Sequence, residues 1–114
     1  MEYYYDNDKT AIAVLISPNY GAGWSTWYTN HDIAFDKRIV EFWMNHNDYE
    51  FCHAVDRPAS EERKFVTNFL TSCGYPNVYV GGYADIKLAW VPIGKLFRIV
   101  EYDGAESIEY CDEQ

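Results

Sequence analysis

Three groups of residues in this chain have the types and spacing that could support chemistry. The first is Gly21-Ala22-Gly23-Trp24-Ser25-Thr26. A glycine-rich turn between a strand and a helix can cradle a phosphate, because unsatisfied backbone N–H groups converge there at the positive end of the helix dipole. The match is partial. The third glycine of a dinucleotide fingerprint is missing, no Gly-Lys-Ser/Thr follows, and Trp24 and Trp27 crowd the approach. As a ligand site this loop would use Asn19, Tyr20, Gly21 and Gly23; a plain strand-to-helix turn and a protein-contact loop are the other readings. Only Lys9, Lys37 and Arg38 lie near enough in sequence to supply the positive charge a nucleotide needs.

The second group is His46, Cys52 and His53. Softer metals take such ligands, and a thiol beside a histidine base can act as a nucleophile. The spacing fits no standard metal site, and adjacent Cys52 and His53 would point to opposite faces of a strand. No third group orients a base and no oxyanion hole is evident, so ordinary packing is the expectation, with neither metal nor cofactor. The third group is the carboxylates Asp85, Glu101, Asp103 and Glu106, which could serve as a general acid and base. Asp103 is accounted for by the turn it makes with Gly104, and the rest read as solvated or partner-facing acids. A small hydrolase is therefore disfavoured, and the chain is read as a non-enzyme.

Composition narrows the partners. The formal charge of −9 makes a nucleic-acid backbone a poor partner, since binding one relies on lysine and arginine displacing counterions. Every acid after Arg98, namely Glu101, Asp103, Glu106, Glu109, Asp112 and Glu113, lacks a neighbouring lysine or arginine in sequence. A basic surface on another protein fits that imbalance, and eleven Tyr with four Trp favour contact surfaces because each combines apolar area with a polar tip. Three cysteines with no CxxC suit reduced thiols in a cytoplasm. No apolar run approaches the roughly 20 residues that cross a bilayer, and the first residues lack the pattern of a signal peptide. A soluble cytoplasmic protein is expected, with no membrane partner.

These residues need elements to hold them. The run Ala11-Ile12-Ala13-Val14-Leu15-Ile16 predicts a central strand covered on both faces. Phe35, Ile39, Phe42 and Trp43 recur at helical spacing and predict a helix over residues 32–45; a short strand is placed at 49–54. Ser60 suits a helix cap, Phe65, Val66, Phe69, Leu70 and Cys73 make an apolar stripe, and Gly74 is the stop. A short extended piece follows at 77–80. The turn Val91-Pro92-Ile93-Gly94 predicts a hairpin between 86–91 and 96–102, and Asp103-Gly104 predicts a second one returning through 106–110. The expectation is an α+β fold, with an antiparallel or mixed sheet of about four to five strands and two helices packed on one face. Residues 1–114 form a single domain, in which residues 1–9 can be a flexible N-terminal segment. The sequence sets no oligomeric state.

The strand Ala11–Ile16, the glycine loop Gly21–Ser25 and the closing Ala84-Asp85-Ile86-Lys87 with Glu101-Tyr102-Asp103-Gly104-Ala105-Glu106 resemble a family of small, uncharacterised tailed-phage proteins. Those proteins carry a glycine-rich turn after the first strand and end in an ADLK, isoleucine, proline, EEYDG-x-E pattern. The resemblance spans roughly residues 11–110, and departs where Gly21-Ala22-Gly23-Trp24-Ser25 replaces a GGFGLS-like turn. It implies a phage origin and no catalytic residue. By analogy with small acidic anti-defence (anti-CRISPR-like) proteins, the expected function is to bind and inhibit a host protein with a basic surface, such as a defence nuclease. Glu101, Tyr102, Asp103, Glu106, Glu109 and Trp24 are the expected contacts. The alternative is a protein that sequesters a small ligand or signalling nucleotide at the Gly21–Gly23 loop.

Overall fold

β1 (Ala11–Ile16) is apolar at both parities, and both of its faces are covered. In the computed structural model the described residues are 1–19, 23–46, 59–78, 80 and 83–111, with side chains excepted at 59–62 and 84. Ala13 and Leu15 face a core that includes Ile39, Val40, Phe42, Val66, Leu70, Tyr75 and Tyr83. Ile12, Val14 and Ile16 face the other way, onto Ala34, Phe35, Phe97, Ile99 and Ile108. Each fully buried aliphatic side chain on this strand is worth about 2 kcal/mol in surface withdrawn from water.

The fold is α+β, with two helices and four antiparallel strands among the described residues. β1 pairs with β2 (Lys87–Pro92), placing Ala11 opposite Pro92 and Ile16 opposite Lys87. β3 (Phe97–Tyr102) pairs with β4 (Ala105–Tyr110), placing Phe97 opposite Tyr110 and Tyr102 opposite Ala105. Among the described residues these strands form two separate two-stranded sheets, where one sheet of four to five was expected. The residues of the Pro92–Leu96 turn do not join a hairpin: β2 pairs with β1, and β3 with β4. The apolar positions of β3 and β4, Phe97, Ile99 and Ile108, pack instead across Val14 and Val91. The turn at Asp103-Gly104 forms as the dipeptide predicts, with φ of 52° and 88°, the positive values that a two-residue hairpin turn needs.

Residues 2–6 run antiparallel along the other edge of β1. Tyr5 bridges Ile12, the Ala13 amide donates to the Tyr4 carbonyl at 2.8 Å, and Lys37 N–H donates to the Glu2 carbonyl at 2.7 Å. The turn into β1 is held by the Asp6 carboxylate, which accepts from the hydroxyl and amide of Thr10 and from the Ala11 amide. Those bonds, the Thr10 hydroxyl foremost, hold the Asp6 carboxyl below its ordinary value.

α1 spans Lys37–Asn45, shorter than the expected 32–45, because Asp36 caps it: its side chain accepts from the Arg38 amide. Residues 31–34 form a 3-10 turn of their own, with Asn30 capping through the Asp32 amide. α2 spans Ala59–Ser72, so Ser60 falls inside the helix instead of before it. It ends as Gly74 predicts. Gly74 sits at φ 96°, its amide returns to Thr71 and the Tyr75 amide to Leu70, the paired bonds of a Schellman cap, and Leu70 and Tyr75 are both buried.

That cap delivers Tyr75 to the start of α1. Its hydroxyl donates to Asp36 Oδ2 at 2.7 Å, while Arg38 grips the same carboxylate and donates to the Cys73 carbonyl at 3.1 Å. Burial alone would raise the Asp36 carboxyl; the bonds from Arg38 and Tyr75 outweigh it and hold the group below its ordinary value. Burial and then the Asp36 carboxylate push the Tyr75 phenol above its ordinary value. The expected strand at 49–54 lies outside the described residues, and Asn77, Val78 and Val80 are not in a strand. No helix among the described residues is long and apolar enough to cross a membrane.

Candidate functional site

The first loop does gather backbone N–H groups, and an anion occupies them, but the anion belongs to the chain. Glu106, at the start of β4, is 2% exposed. Its Oε1 accepts from the Ser17 amide at 2.9 Å, and its Oε2 accepts from the Trp24 amide at 2.6 Å, the Thr26 amide at 3.0 Å and the Thr26 hydroxyl at 2.6 Å. The Glu106 amide donates in turn to the Ser17 carbonyl at 2.7 Å. Trp24 precedes the 3-10 turn Ser25–Trp27 and has no capping side chain of its own, so Glu106 serves as the cap from the opposite end of the chain. This one carboxylate fastens the β3–β4 hairpin to the end of β1.

The arrangement corrects two expectations. Glu106 and Trp24 were read as partner contacts, yet both are buried. An acid surrounded by four donors is satisfied inside the protein, and the Trp24 ring, 1% exposed, packs in the main core in a T-shaped contact with Tyr83. The loop as a phosphate cradle is also revised. The Trp24 and Thr26 amides that would hold a phosphate are already engaged. Gly23 is explained by packing, since a Cβ there would lie 2.6 Å from the Trp27 ring. Asn19 is exposed, while Tyr20 and Gly21 lie outside the described residues.

Of the other expected contacts, Glu101, Tyr102 and Asp103 stand at the hairpin tip, while Glu109 lies toward the other end of β4, opposite Arg98. Tyr102 is 76% exposed, and Glu101, Asp103 and Glu109 are exposed with it. Two of these acids also have local partners: Glu101 accepts the Gly104 amide at 2.7 Å, and Glu109 pairs across the strands with Arg98. The Glu109 carboxylate raises the Arg98 guanidinium above its ordinary value. The acids after Arg98 are thus partly balanced in space where they are unbalanced in sequence.

The nucleophile and metal readings gain no geometry. His46 stacks on Phe42 at 4.3 Å with its Nδ1 3.0 Å from the Phe42 carbonyl, a packed histidine at the end of α1. Cys52 and His53 lie outside the described residues. Among the described residues, no three His, Cys, Asp or Glu side chains are grouped to hold a metal.

One feature escaped the sequence reading. Beside Thr26 opens a cleft of about 420 Å³ whose walls include Phe35, Phe97 and Ile99, with His31 and Arg98 at hand. Its parts come from a 3-10 turn and a strand more than sixty positions apart, and the exposed Arg98 gave no periodic signal of its own. Compared with family models, with curated proteins and with solved structures, the chain matches none.

Proposed function

We propose that this chain is a non-enzymatic binding protein whose β3–β4 hairpin tip engages a basic surface on another protein. The observation that carries the reading is the tip itself. Tyr102, 76% exposed, stands beside the exposed acids Glu101 and Asp103 at a two-residue turn, in a protein of net charge −9. A tyrosine supplies contact area at little cost in side-chain freedom, and the acids draw a basic partner from about 8 Å at physiological salt, chiefly by raising the association rate. The turn is held by Glu101 and the hairpin by Glu106, so the tip is preorganised and less order has to be imposed on binding. The resemblance at Glu101–Glu106 to small phage proteins extends the proposal to its setting: an accessory protein acting in a bacterial cytoplasm on a host protein, such as a defence nuclease.

The test compares wild type with a Tyr102→Ala, Asp103→Asn double variant as bait in host lysate at low and high salt. Asparagine tolerates the positive φ at position 103, so the turn survives while its charge is lost. The expected result is a protein retained at low salt, released at high salt and lost with the double variant. A partner held equally by both baits overturns the site.

A further inference from the structure

We infer that the cleft between the 3-10 turns of residues 25–34 and strand β3 is a binding site for a small aromatic anion, separate from the hairpin tip and independent of its function. At about 420 Å³ the cleft falls in the size range of small-molecule pockets, and like them it is mostly apolar with a few polar groups at fixed positions. Phe35 and Phe97 meet edge to face, 6.2 Å between ring centres, and Ile99 continues the same wall. A flat ring is the shape that such a wall accepts.

The charge of the site names the rest of the ligand. The chain holds 18 Asp and Glu against 9 Lys and Arg, yet this cleft is lined by Arg98 and His31 and by no carboxylate. Glu109 engages Arg98 through Nε and Nη2, and the Nη1 group has no hydrogen bond among the described residues. A guanidinium keeps donors for a second acceptor when its first is bound on one side. The His31 ring likewise makes no hydrogen bond among the described residues. The Thr26 hydroxyl, also in the lining, donates to Glu106 at 2.6 Å. A carboxylate, sulfonate or phosphate on an aromatic ring would meet Arg98 and His31 while the ring lies on Phe97. A second cleft of about 260 Å³ beside Tyr3 and Tyr5 is smaller, with Lys95 as its cation.

The probe is 8-anilinonaphthalene-1-sulfonate, with neutral N-phenyl-1-naphthylamine as its uncharged counterpart. Fluorescence titration of the full chain should give saturable one-to-one binding of the sulfonate. Arg98→Ala combined with His31→Ala should weaken the sulfonate about tenfold, as loss of a hydrogen bond to a charged group does, and leave the neutral amine unchanged. Amide shifts in a nitrogen–proton correlation spectrum should centre on Ser25, Thr26 and residues 97–99. His31→Ala alone, outside every strand and ion pair described, keeps the test open if the double variant unfolds. Equal weakening of both probes, no saturable binding, or shifts centred on Tyr3, Tyr5 and Lys95 would overturn the site.

Discussion

Replacing Glu106 by glutamine tests the internal anion directly. Glutamine has the same length but keeps one acceptor oxygen and gains an NH2 donor. Its oxygen best takes the Oε2 position, where three donors converge, which leaves its NH2 facing the Ser17 amide, donor against donor. A buried amide left without a partner costs about 1–3 kcal/mol, and three bonds that fall from a charged to a neutral acceptor lose a further fraction each. Relief from burying a carboxylate offsets part of this, so the net loss should be about 3 kcal/mol. For a chain of 114 residues, whose whole stability is on the order of 6–17 kcal/mol, that is a large share. The midpoint of thermal unfolding should fall by about 10 °C. Urea unfolding followed by tryptophan fluorescence suits the measurement, because the Trp24 ring is buried beside the altered bonds. Glu101→Gln is the control: that acid is exposed and accepts a single described amide, so its loss should stay below about 1 kcal/mol. If the two variants lose the same small amount, Glu106 does not hold the sheets together and the reasoning fails.

Asp36→Asn should cost about 2 kcal/mol by weakening the joint between α1 and α2. Because the folded carboxyl sits below its ordinary 3.8, its contribution is complete above that value and is lost as pH falls through the depressed one. The difference between wild type and variant in denaturant melts should therefore shrink on acidification, and a pH-independent difference would refute the assignment. Tyr75→Phe removes only the hydroxyl and should cost about 1 kcal/mol. With the phenol held above its ordinary 10.0, this contribution is present below pH 10 and fades as pH rises, which alkaline melts of the two proteins would show. Gly23→Ala should displace the Trp27 ring and cost about 1–2 kcal/mol, with a change in tryptophan emission; no change in either would mean that the glycine is not needed for packing.

Local signals in this chain were legible and remote ones were not. β1 was readable because both of its faces are covered, so that every position from 11 to 16 is apolar. Gly74 and Asp103-Gly104 were readable because positive φ is a demand that a short peptide reveals. The start of α1 was missed because Asp36 caps it, and a cap inside an apolar period looks like any polar position. The pairing of β2 with β1 was missed because a turn signal at 91–94 suggests a hairpin, while the choice of partner depends on where distant apolar faces lie. Glu106 was read as a surface acid because its donors stand 80 to 89 positions away. A faint signal existed: Glu106 shares the parity of Ile108 in β4, which points an acid to the same side as the core.

That separation also sets an order of events as the chain is made. The loop after β1 has its amides satisfied by a residue at position 106, and Ile12, Val14 and Ile16 wait for cover from Phe97, Ile99 and Ile108. During synthesis from the N-terminus, a ribosome must have released the chain through β4 before the first strand can be enclosed. Until then an apolar strand stands exposed on one side beside an unclosed turn, so nascent chains stopped short of β4 should be the species most prone to aggregate and most readily bound by chaperones.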